Sequence, residues 1–578
     1  MKFTLNPYQN YLEIKSQIYL KKFEKCKYEQ EKLLKEILKL NKTSTYGKKY
    51  NFKKIKDYNM FQSQVPISNF EQIEKYINDE KNKKNSNSIL SEVVDYFAIT
   101  SGTTNTPKFL PHTKNYVKKR QIAWEIWNHS IYNEKPKTYS LTGSILTFTS
   151  KPFDDYTKSK IQYGSVSGKI HDLQLPLIKL LFALPDEISQ VNNFKTKHYL
   201  NALFSIRENV TLIATPNPST ILLFVKTIKE NINQIISDLE NNTIDIFTDE
   251  ETIILNHQNT KNIPKELKMK ILEIFSSNKS LNYKTAQKLK LLKKENKLDT
   301  KYIFENLQTI GCWTKGHVNI YLKELKKHFD KSVMIRDLGY MASEGRFTIP
   351  IETKENGEGI LDIQANFYEF IKVKEYDLQK PTIYLAHKIE LNEKYYMYIS
   401  NENGLYRYDL NDIIEVTGFY KNTKTPMITF VQKGKYFSSI TGEKISEWEI
   451  NETISKLQTS KKIHIKTYFV VPNISMKNPN YNYYLEFDKI PSKTQIKDYE
   501  VYLESELQKE NIEYKEKRES KRLNPIKIHI LPKNSVEKIK KEFSKGKSKD
   551  IQIKEPKLIV LDKDKKLIKE FLKNNTIK

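Results

Sequence analysis

The sequence predicts an α/β protein with a large N-terminal domain and a small C-terminal α+β domain. Strand-like apolar runs alternate with amphipathic helices through most of the chain, a pattern typical of α/β architectures. From about Val431 the pattern changes, and the remaining stretch has the usual size of a small domain. At 578 residues the chain is also too long for one hydrophobic core. We therefore predict two domains, 1–432 and 433–578.

In the larger domain, helical spacing of apolar side chains predicts one or two helices over residues 9–40. A helix begun by Ser68 and another capped by Thr113 or Asn115 follow, and residues 218–240 and 262–293 are predicted as long helices. Strands are predicted at 93–99, 144–148, 210–214, 308–312, 332–335, 382–385 and 395–400.

In the smaller domain, Ser446 and Glu449 form a capping box that begins a helix. Strands are predicted near 463–471, 483–487 and 526–531, with a helix over 492–508 and a short one from Ser535. Mixed strands and helices of these lengths are the basis for the α+β assignment.

The net charge of +27 raises the question of a nucleic-acid partner. Only seven of the 97 basic residues are arginine, the side chain best suited to bidentate contacts with bases and phosphates. The lysines are spread along the whole chain, together with an excess of Asn, Ile and Tyr that AT-rich coding would produce. We expect no specific nucleic-acid partner, while weak nonspecific association at low salt stays open.

Cysteine content and apolar runs bear on the compartment. Cys26 and Cys312 are the two cysteines, which implies no disulfide framework and fits a reducing compartment. Residues 1–7 lack the apolar core of a signal peptide, and the most apolar run, 177–184, is too short to span a bilayer. We expect a cytoplasmic protein without a membrane partner, and take a monomer as the default.

A hydroxyl-rich segment, Thr-Ser-Gly-Thr-Thr-Asn-Thr-Pro-Lys, occupies residues 100–108 between a strand-like run and a short apolar one. Its hydroxyls, its glycine and Lys108 are suited to cradle a polyphosphate. It is not a Walker loop, because the second glycine and the adjoining Lys-Ser/Thr are missing. A Ser/Thr-rich turn without a ligand is the alternative.

Two further stretches have the same character. Residues 340–345, Tyr-Met-Ala-Ser-Glu-Gly, follow a predicted strand, and Glu344 can hold Mg²⁺ through one oxygen while water and phosphate supply the rest. Residues 404–412 end in Asp412, which can accept hydrogen bonds from ribose hydroxyls, with Arg407 as its ion-pair partner or as a phosphate contact. A structural turn and a surface ion pair are the respective alternatives. In the lysine-rich tail 546–557, a solvated lysine is the default.

Taken together and in this order, these motifs resemble those of adenylate-forming ligases. Within that superfamily the chain resembles the auxin-responsive-promoter (Gretchen Hagen) family of acyl-acid amido synthetases, in its bacterial-type branch. Further matches are Thr45-Tyr46-Gly47, Val65-Pro66, Asn306-Leu307, Cys312-Trp313-x-x-Gly316, residues 404–408 with 415–419, residues 442–447, Asn511-x-x-Tyr514-x-x-x-Arg518 and Gln552-x-Lys554-x-Pro556. The matches extend from residue 45 to residue 557.

The resemblance implies a large N-terminal domain of stacked sheets and helices, a C-terminal lid that rotates about a hinge at Lys433, and ATP between them. The residues that it assigns to ATP and Mg²⁺ are Ser101, Gly102, Thr103, Thr104 and Lys108 around the phosphates, Tyr340, Ala342 and Ser343 at the adenine, Glu344 at Mg²⁺, Asp412 at the ribose, and Lys554 at the α-phosphate. Arg407 is a further cofactor-binding candidate, either as the ion-pair partner of Asp412 or as a phosphate contact. Glu344 and Lys554 are the implied catalytic residues. The implied reaction adenylates a carboxylic acid and transfers the acyl group to the amine of an amino acid.

Three positions depart from the family pattern. Asn105 and Asn411 stand where glycine is usual, and we expect both loops to survive because Asn tolerates a left-handed backbone. Lys433 stands where arginine is common at the hinge. The candidates to line the pockets for the acid and the amine are Trp313 and the helix after Thr113, and residues 164–168 are a candidate to line the active site.

Two other functions remain open at this level. A thioester-forming ligase such as an acyl-CoA ligase would use coenzyme A as the acceptor, and a nucleotide- or RNA-associated protein would have lost catalysis. A structural zinc site is not expected, because the ten histidines show no metal-ligand spacing.

Overall fold

The chain divides into two units close to the point where the sequence pattern changes. Of the described residues, those up to Phe430 form the first unit, apart from the stretch Asn411–Ile413, and the second unit contains that stretch together with the residues from Val431 onward. The predicted boundary at residues 432 and 433 lies just beyond Val431, whereas Asn411–Ile413 was expected in the N-terminal domain.

The computed structural model describes residues 6–100, 108–140, 142–151, 153–172, 174, 176–247, 263–315, 321–354, 357–376, 378–434, 437–438, 440, 443, 445–473, 475, 478–519, 523–544, 555–560 and 562–575. Its helices are α1 (Asn6–Lys22), α2 (Cys26–Asn41), α3 (Thr45–Lys49), α4 (Tyr58–Gln64), α5 (Phe70–Asn82), α6 (Lys114–Glu134), α7 (Val166–Asp172), α8 (Pro176–Lys179), α9 (Asp186–Ser189), α10 (Phe194–Ile206), α11 (Pro218–Asn241), α12 (Lys265–Ser276), α13 (Lys279–Lys294), α14 (Thr300–Ile303), α15 (Leu322–Leu325), α16 (Glu447–Lys461), α17 (Lys493–Glu510), α18 (Ile512–Glu519), α19 (Ser535–Ser544) and α20 (Asp562–Asn575).

The strands are β1 (Tyr96–Thr100), β2 (Lys108–His112), β3 (Ser144–Thr147), β4 (Asp155–Tyr156), β5 (Gln162–Gly164), β6 (Val210–Ala214), β7 (Thr309–Cys312), β8 (Met334–Asp337), β9 (Thr348–Ile349), β10 (Gly359–Leu361), β11 (Phe367–Lys372), β12 (Tyr384–Leu385), β13 (Lys394–Ser400), β14 (Tyr408–Phe419), β15 (Pro426–Lys433), β16 (Phe437–Ser438), β17 (Ile445–Ser446), β18 (Ile465–Asn473), β19 (Asn480–Phe487) and β20 (Lys527–Ile530).

A parallel sheet in the order β3-β6-β7-β8 forms because helices separate its strands in the sequence. Its strands are short, and β6, β7 and β8 are almost fully buried, as expected of a parallel sheet covered on both faces. β8 ends in two buried charged residues, Arg336 and Asp337. Apolar side chains of α10, α11, α12 and α13 pack with them in one hydrophobic cluster, which includes Phe204, Phe224 and Phe275.

Two other sheets complete the first unit. A seven-stranded sheet has the order β12-β11-β13-β14-β15-β10-β9, and its strand β11 is buried throughout. A four-stranded sheet has the order β2-β1-β5-β4, in which β1 pairs antiparallel with β2 and parallel with β5. Both sheets contribute to a second hydrophobic cluster with α2 and α5. The chain continues from β2 directly into α6, and this connection builds the candidate site.

The second unit contains a three-stranded sheet in the order β18-β19-β20 and the two-stranded ribbon β16-β17. The predicted capping box is confirmed: the Ser446 side chain accepts from the Glu449 backbone and the Glu449 side chain accepts from the Ser446 backbone. Ser492 caps α17 in the same way. Phe469, Phe543 and Phe571 belong to an apolar cluster in this unit.

Three element predictions were wrong in detail. The single helix predicted over 262–293 is two helices, which are separated at Ser277 and Asn278 because both residue types favour caps over helix interiors. The helix predicted to begin at Ser68 is capped by Asn69, since the Ser68 hydroxyl donates to the Tyr406 carbonyl instead. The strand predicted over 382–385 is reduced to Tyr384–Leu385.

Among the described residues, helices long enough to cross a membrane lack the required apolar character.

Candidate functional site

The Tyr340–Gly345 motif forms a tight hairpin. The Ala342 N–H donates to the Gly345 carbonyl at 2.8 Å, and Met341 pairs antiparallel with Arg346. At the base of the hairpin the Phe347 N–H donates to the Tyr340 carbonyl at 2.9 Å. Ser343 and Glu344, at the tip, are half-buried. The motif therefore presents two polar side chains on a well-bonded turn.

Buried charged groups hold the base of this hairpin. The Asp337 carboxylate accepts from the Gly339 N–H at 2.6 Å and from the backbone and hydroxyl of Thr314 at 2.7 and 2.8 Å. Burial raises the pKa of Asp337. The Arg346 guanidinium donates to the Leu338 carbonyl at 2.8 Å and lies over the Trp124 ring. These bonds fix the chain on both sides of the motif.

Side chains from outside the hairpin bond the carbonyl groups of its tip. His112 lies 3.0 Å from the Ser343 carbonyl, Arg120 lies 3.4 Å from the Ala342 carbonyl, and Asn401 lies 3.3 Å from the Glu344 carbonyl. His112 is the last residue of β2, and Arg120 lies on α6.

The amide of Asn366 joins these contacts. It accepts from the Tyr116 hydroxyl at 2.7 Å and from the Asn401 amide at 3.1 Å, and it donates to the Arg346 carbonyl at 3.1 Å. A Cβ at Gly345 would lie 2.4 Å from the Tyr116 hydroxyl. Glycine is required here because α6 approaches the backbone so closely.

A pocket adjoins the hairpin on the side of α6. The empty space in this region is about 450 Å³, a figure that includes space open to solvent. Its lining comes from β1 and β2, from α6 and from the segment 166–174: Tyr96, His112, Val117, Arg120, Gln121, Trp124, Val166, Lys169, Ile170 and Gln174. None of these ten residues is acidic. The pocket therefore has apolar and aromatic walls together with two cationic side chains, Arg120 and Lys169.

Two buried donors of the pocket lack acceptors. The Arg120 Nε and the Tyr96 hydroxyl are buried, and within the described part of the chain neither has a hydrogen-bond partner. Burial raises the pKa of Tyr96, so its hydroxyl keeps its proton and remains a donor. Unsatisfied buried donors are costly and point to an acceptor from outside the described residues.

His112 is neutral in this environment. Burial lowers its pKa to about 3, with a smaller contribution from the positive charge of Arg120. A carbonyl only accepts, so the nitrogen beside Ser343 carries the hydrogen and the other ring nitrogen accepts from Asn403 at 3.4 Å. Both ring nitrogens are thereby satisfied.

Family models match most of the chain in three consecutive parts. The GH3 family N-terminal domain matches residues 16–334, the GH3 family central domain matches 359–433, and the GH3 family C-terminal domain matches 447–562. The chain belongs to the GH3 family. The resemblance inferred from the motifs is confirmed at this level.

Individual relatives of the GH3 family agree with this assignment. A jasmonoyl–L-amino acid synthetase of Nicotiana attenuata is 20% identical over 486 residues, 81% of this chain and 80% of that protein. An indole-3-acetic acid-amido synthetase of Arabidopsis thaliana is 21% identical over 571 residues, 93% of this chain and 90% of that protein. A solved acyl acid amido synthetase structure is 19% identical, covers 96% of this chain and 94% of its own, and has a TM-score of 0.79. The predicted α/β fold is thereby confirmed.

Several residues that the GH3 resemblance assigned to ATP fall outside the described residues: Ser101, Gly102, Thr103, Thr104 and Lys554. The first four follow β1, and Lys108 begins β2 with its ammonium over the Phe70 ring. Lys433 is the last residue of β15. Their contacts with ATP stay predictions.

Arg407 has a different partner from the expected one. Its Nε donates to both carboxylate oxygens of Glu369 at 3.0 Å, and its Nη1 donates to the carbonyls of Gln62 and Val65. The expected ion pair with Asp412 is therefore wrong, because the guanidinium is buried against Glu369. A contact with nucleotide stays a prediction, and these four bonds to protein argue against it.

Asn411 and Asp412 belong to the second unit. Asn411 has φ of 51°, which is the left-handed conformation expected where the family usually has glycine. Its carbonyl accepts from the Gly434 N–H at 2.8 Å. Asp412 is buried. The tolerance predicted for Asn411 is confirmed, and Asn105 lies outside the described residues.

The acid-pocket candidates had a mixed outcome. The helix after Thr113, which is α6, lines the pocket described above, and so does Val166 from the segment 164–168. That this pocket binds the acid stays a prediction. Trp313 does not line it; its indole donates to the Gly339 carbonyl at 3.0 Å. Sequence reasoning did not single out His112, Arg120 or Tyr96.

Proposed function

We propose that this member of the GH3 family is an ATP-dependent acyl-acid amido synthetase. A carboxylate oxygen of the acid attacks the α-phosphorus of ATP, the bond to pyrophosphate breaks, and an acyl-adenylate forms. The amine of an amino acid then attacks the acyl carbon and loses a proton, and AMP leaves with the electrons of the broken C–O bond. One relative is named as a jasmonoyl–L-amino acid synthetase and another as an indole-3-acetic acid-amido synthetase. We assign an acid and an amino acid as substrates here too, rather than coenzyme A.

The pair of donors in the pocket carries the proposal. Arg120 and Tyr96 are buried, and the Arg120 Nε and the Tyr96 hydroxyl have no acceptor among the described residues. A carboxylate supplies two acceptor oxygens and a negative charge, so one acid group satisfies both donors and the buried cation. The apolar side chains of Val117, Trp124 and Ile170 then surround the rest of the acid. This arrangement favours an acid with an apolar body.

The carboxylate of Glu344 is suited to hold a magnesium ion. Within the described part of the chain, hydrogen bonds and ion pairs do not engage the Glu344 carboxylate, which is half-buried at the tip of the hairpin. Mg²⁺ is typically held by one or two carboxylates, with water and substrate phosphates completing its shell. When bound, Mg²⁺ would offset charge on the phosphates of ATP. Acidic clusters that could bind a metal independently are absent from the described residues.

The remaining roles follow the family assignment. Ser101, Gly102, Thr103, Thr104 and Lys108 are proposed to bind the phosphates of ATP, and Tyr340, Ala342 and Ser343 to lie at the adenine. Tyr340 packs against Phe347 and Phe430, which makes it a rigid aromatic wall. Asp412 is proposed at the ribose and Lys554 at the α-phosphate, where a cation stabilises the charge of the transition state.

The location and assembly of the protein belong to the same proposal. We assign it to the cytoplasm, as an Mg²⁺-dependent monomer without a specific nucleic-acid or membrane partner. Cys26 and Cys312 are free thiols, which fits a reducing compartment. Identity of about 20% to the plant relatives is compatible with the bacterial-type branch.

The first test is Mg-ATP-dependent pyrophosphate release over a panel of aromatic, indolic and aliphatic acids, with and without amino acids. We expect release with at least one acid, and an amide detected by mass spectrometry when the amino acid is present. Thioester formation with coenzyme A and no amide would favour the thioester-forming ligase instead. Failure of the folded protein to bind ATP would refute the proposal.

A second test addresses the two donors. Tyr96→Phe removes one hydroxyl and is expected to raise KM for the acid several-fold, while KM for ATP changes little. Tyr163→Phe, on the neighbouring strand β5 and outside the pocket lining, is the matched control. An equal effect of both variants would remove Tyr96 from acid binding.

A further inference from the structure

The backbone of the Glu344 hairpin is held by side chains that belong to other elements. The carbonyls of Ala342 and Ser343 face one such donor each, on Arg120 and His112. The Glu344 carbonyl faces two, on Asn401 at 3.3 Å and on Tyr116 at 3.4 Å. The Gly345 carbonyl accepts from within the hairpin, from the Ala342 N–H. Every carbonyl of the tip is therefore bonded.

The shortest of these four outside contacts comes from His112. Its ring lies 3.0 Å from the Ser343 carbonyl, is 2% exposed and is held from its other side by Asn403. A buried neutral ring with both nitrogens bonded has a single orientation, which fixes the carbonyl that it meets. His112 is thus a rigid support for the residue that precedes Glu344.

The same side chains also form the wall of the acid pocket. His112 and Arg120 line that pocket while they bond the hairpin. Asn366 extends the support by bonding Tyr116 of α6 and the Arg346 carbonyl. The pocket and the hairpin thus share two side chains.

We propose that His112 is a positioning residue for Glu344: with Arg120, Asn366 and Asn401 it forms a carbonyl clamp that fixes the hairpin backbone. The clamp keeps the Glu344 carboxylate in one place relative to the acid pocket. Partners of this kind, which orient a metal-binding side chain, typically change metal affinity 10–100-fold when removed. The consequence for Mg-ATP rests on the proposed function, whereas the consequence for the backbone does not.

The test compares two substitutions of His112 in the full chain. His112→Leu removes the donor and keeps an apolar side chain, whereas His112→Gln keeps an N–H that can reach the Ser343 carbonyl. We expect amide exchange in residues 340–347 to be about tenfold faster in His112→Leu. We also expect the Kd for Mg-ATP, measured without acid, to rise about tenfold in that variant. His112→Gln should stay within about twofold of the wild type in both measurements.

His129→Leu is the matched control. His129 is also a buried histidine of this unit, but within the described part of the chain its ring bonds Gln9 and Asn133 rather than the hairpin. The His129→Leu substitution should leave amide exchange in residues 340–347 unchanged. If His112→Leu does not fold, Asn401→Leu removes the neighbouring donor and is measured in the same way.

The outcomes separate the clamp from the proposed function. Unchanged exchange in His112→Leu, or equal acceleration in His112→Gln, would overturn the clamp. A wild-type protein that binds no Mg-ATP would overturn the proposed function, and the exchange contrast would still decide on the clamp.

Discussion

Protonation of His112 is expected to destabilise the protein below neutral pH. Burial beside Arg120 lowers the pKa of His112 to about 3, from the ordinary 6.5 that it regains on unfolding. Between these two values the unfolded chain binds a proton that the folded chain does not. The free energy of unfolding therefore falls as pH decreases from 6.5 towards 3.

The size of this effect follows from the shift. Each pH unit between 6.5 and 3 lowers the free energy of unfolding by about 1.4 kcal/mol. The titration of His112 should therefore make the protein about 2 kcal/mol less stable at pH 5.0 than at pH 7.5. Asp362 acts in the opposite direction, because burial raises its pKa from 3.8 to about 6. Its contribution to the free energy of unfolding is therefore lost as pH rises from 3.8 to about 6. The wild-type pH dependence therefore mixes both groups.

Comparison with His112→Gln isolates the histidine. The glutamine does not titrate and keeps a donor for the Ser343 carbonyl, while Asp362 is common to both proteins. We expect the variant to lose about 2 kcal/mol less than the wild type between pH 7.5 and 5.0. The measurement is urea unfolding followed by the fluorescence of Trp124 and Trp127, which lie on α6. Parallel loss of stability in the two proteins would mean that His112 is already protonated or readily protonated when folded, and would refute the assignment.

Four further predictions follow. Arg120→Gln should raise KM for the acid at least about tenfold, because a buried carboxylate then lacks its cation, and an unchanged KM in pyrophosphate-release kinetics would contradict this. Lys554→Ala should slow adenylation by roughly 10²–10³-fold with an unchanged melting temperature, and wild-type turnover would remove Lys554 from the mechanism. Asn411→Val should cost about 1–2 kcal/mol because its φ is 51°, whereas Asn411→Gly should be tolerated, as denaturant unfolding would reveal. Glu369→Gln should destabilise the protein by about 3–5 kcal/mol, because Arg407 stays buried without its carboxylate; a small loss would mean that solvent reaches the pair.

The fold was largely predictable because its elements follow local rules. Ser446 and Ser492 cap helices where the sequence places a hydroxyl three residues before Glu or Gln. The errors arose where a side chain has a distant partner. Ser68 was expected to cap a helix, but its hydroxyl bonds the Tyr406 carbonyl, which is far away in sequence. Periodicity does not report such a contact.

The candidate site was predictable only in part. The Tyr340–Gly345 motif forms a discrete turn with Glu344 at its tip, and α6 lines a pocket beside it, as the sequence suggested. The support of that turn was not predicted, because His112 is followed and preceded by residues of ordinary strand and cap character. Its role depends on the Ser343 carbonyl, 231 residues further along the chain. Arg407 was misassigned for the same reason, since Glu369 lies in another strand.

The rarity of arginine in this chain would have pointed to Arg120, one of the site residues that sequence reasoning missed. The chain has seven arginines among 97 basic residues, so lysine is used at almost every position that tolerates either. Five of the arginines are buried: Arg120, Arg207, Arg336, Arg346 and Arg407. Guanidinium remains charged when buried and presents several donors in one plane, which an ammonium group cannot replace. In a chain with this composition, an arginine therefore marks a buried position with several acceptors.

Applied to Arg120, this reasoning connects the sequence with the site. Arg336 and Arg407 each pair with a carboxylate of the protein, from Glu134 and Glu369. Arg120 lies among residues that line the pocket and bonds a carbonyl at 3.4 Å, while its Nε meets no acceptor within the described part of the chain. Retention of arginine at such a position is understandable if its missing acceptor is the acid substrate. Arg120→Lys should then behave like a loss of binding rather than a conservative change, because one ammonium cannot bond both the carbonyl and a carboxylate with the same geometry.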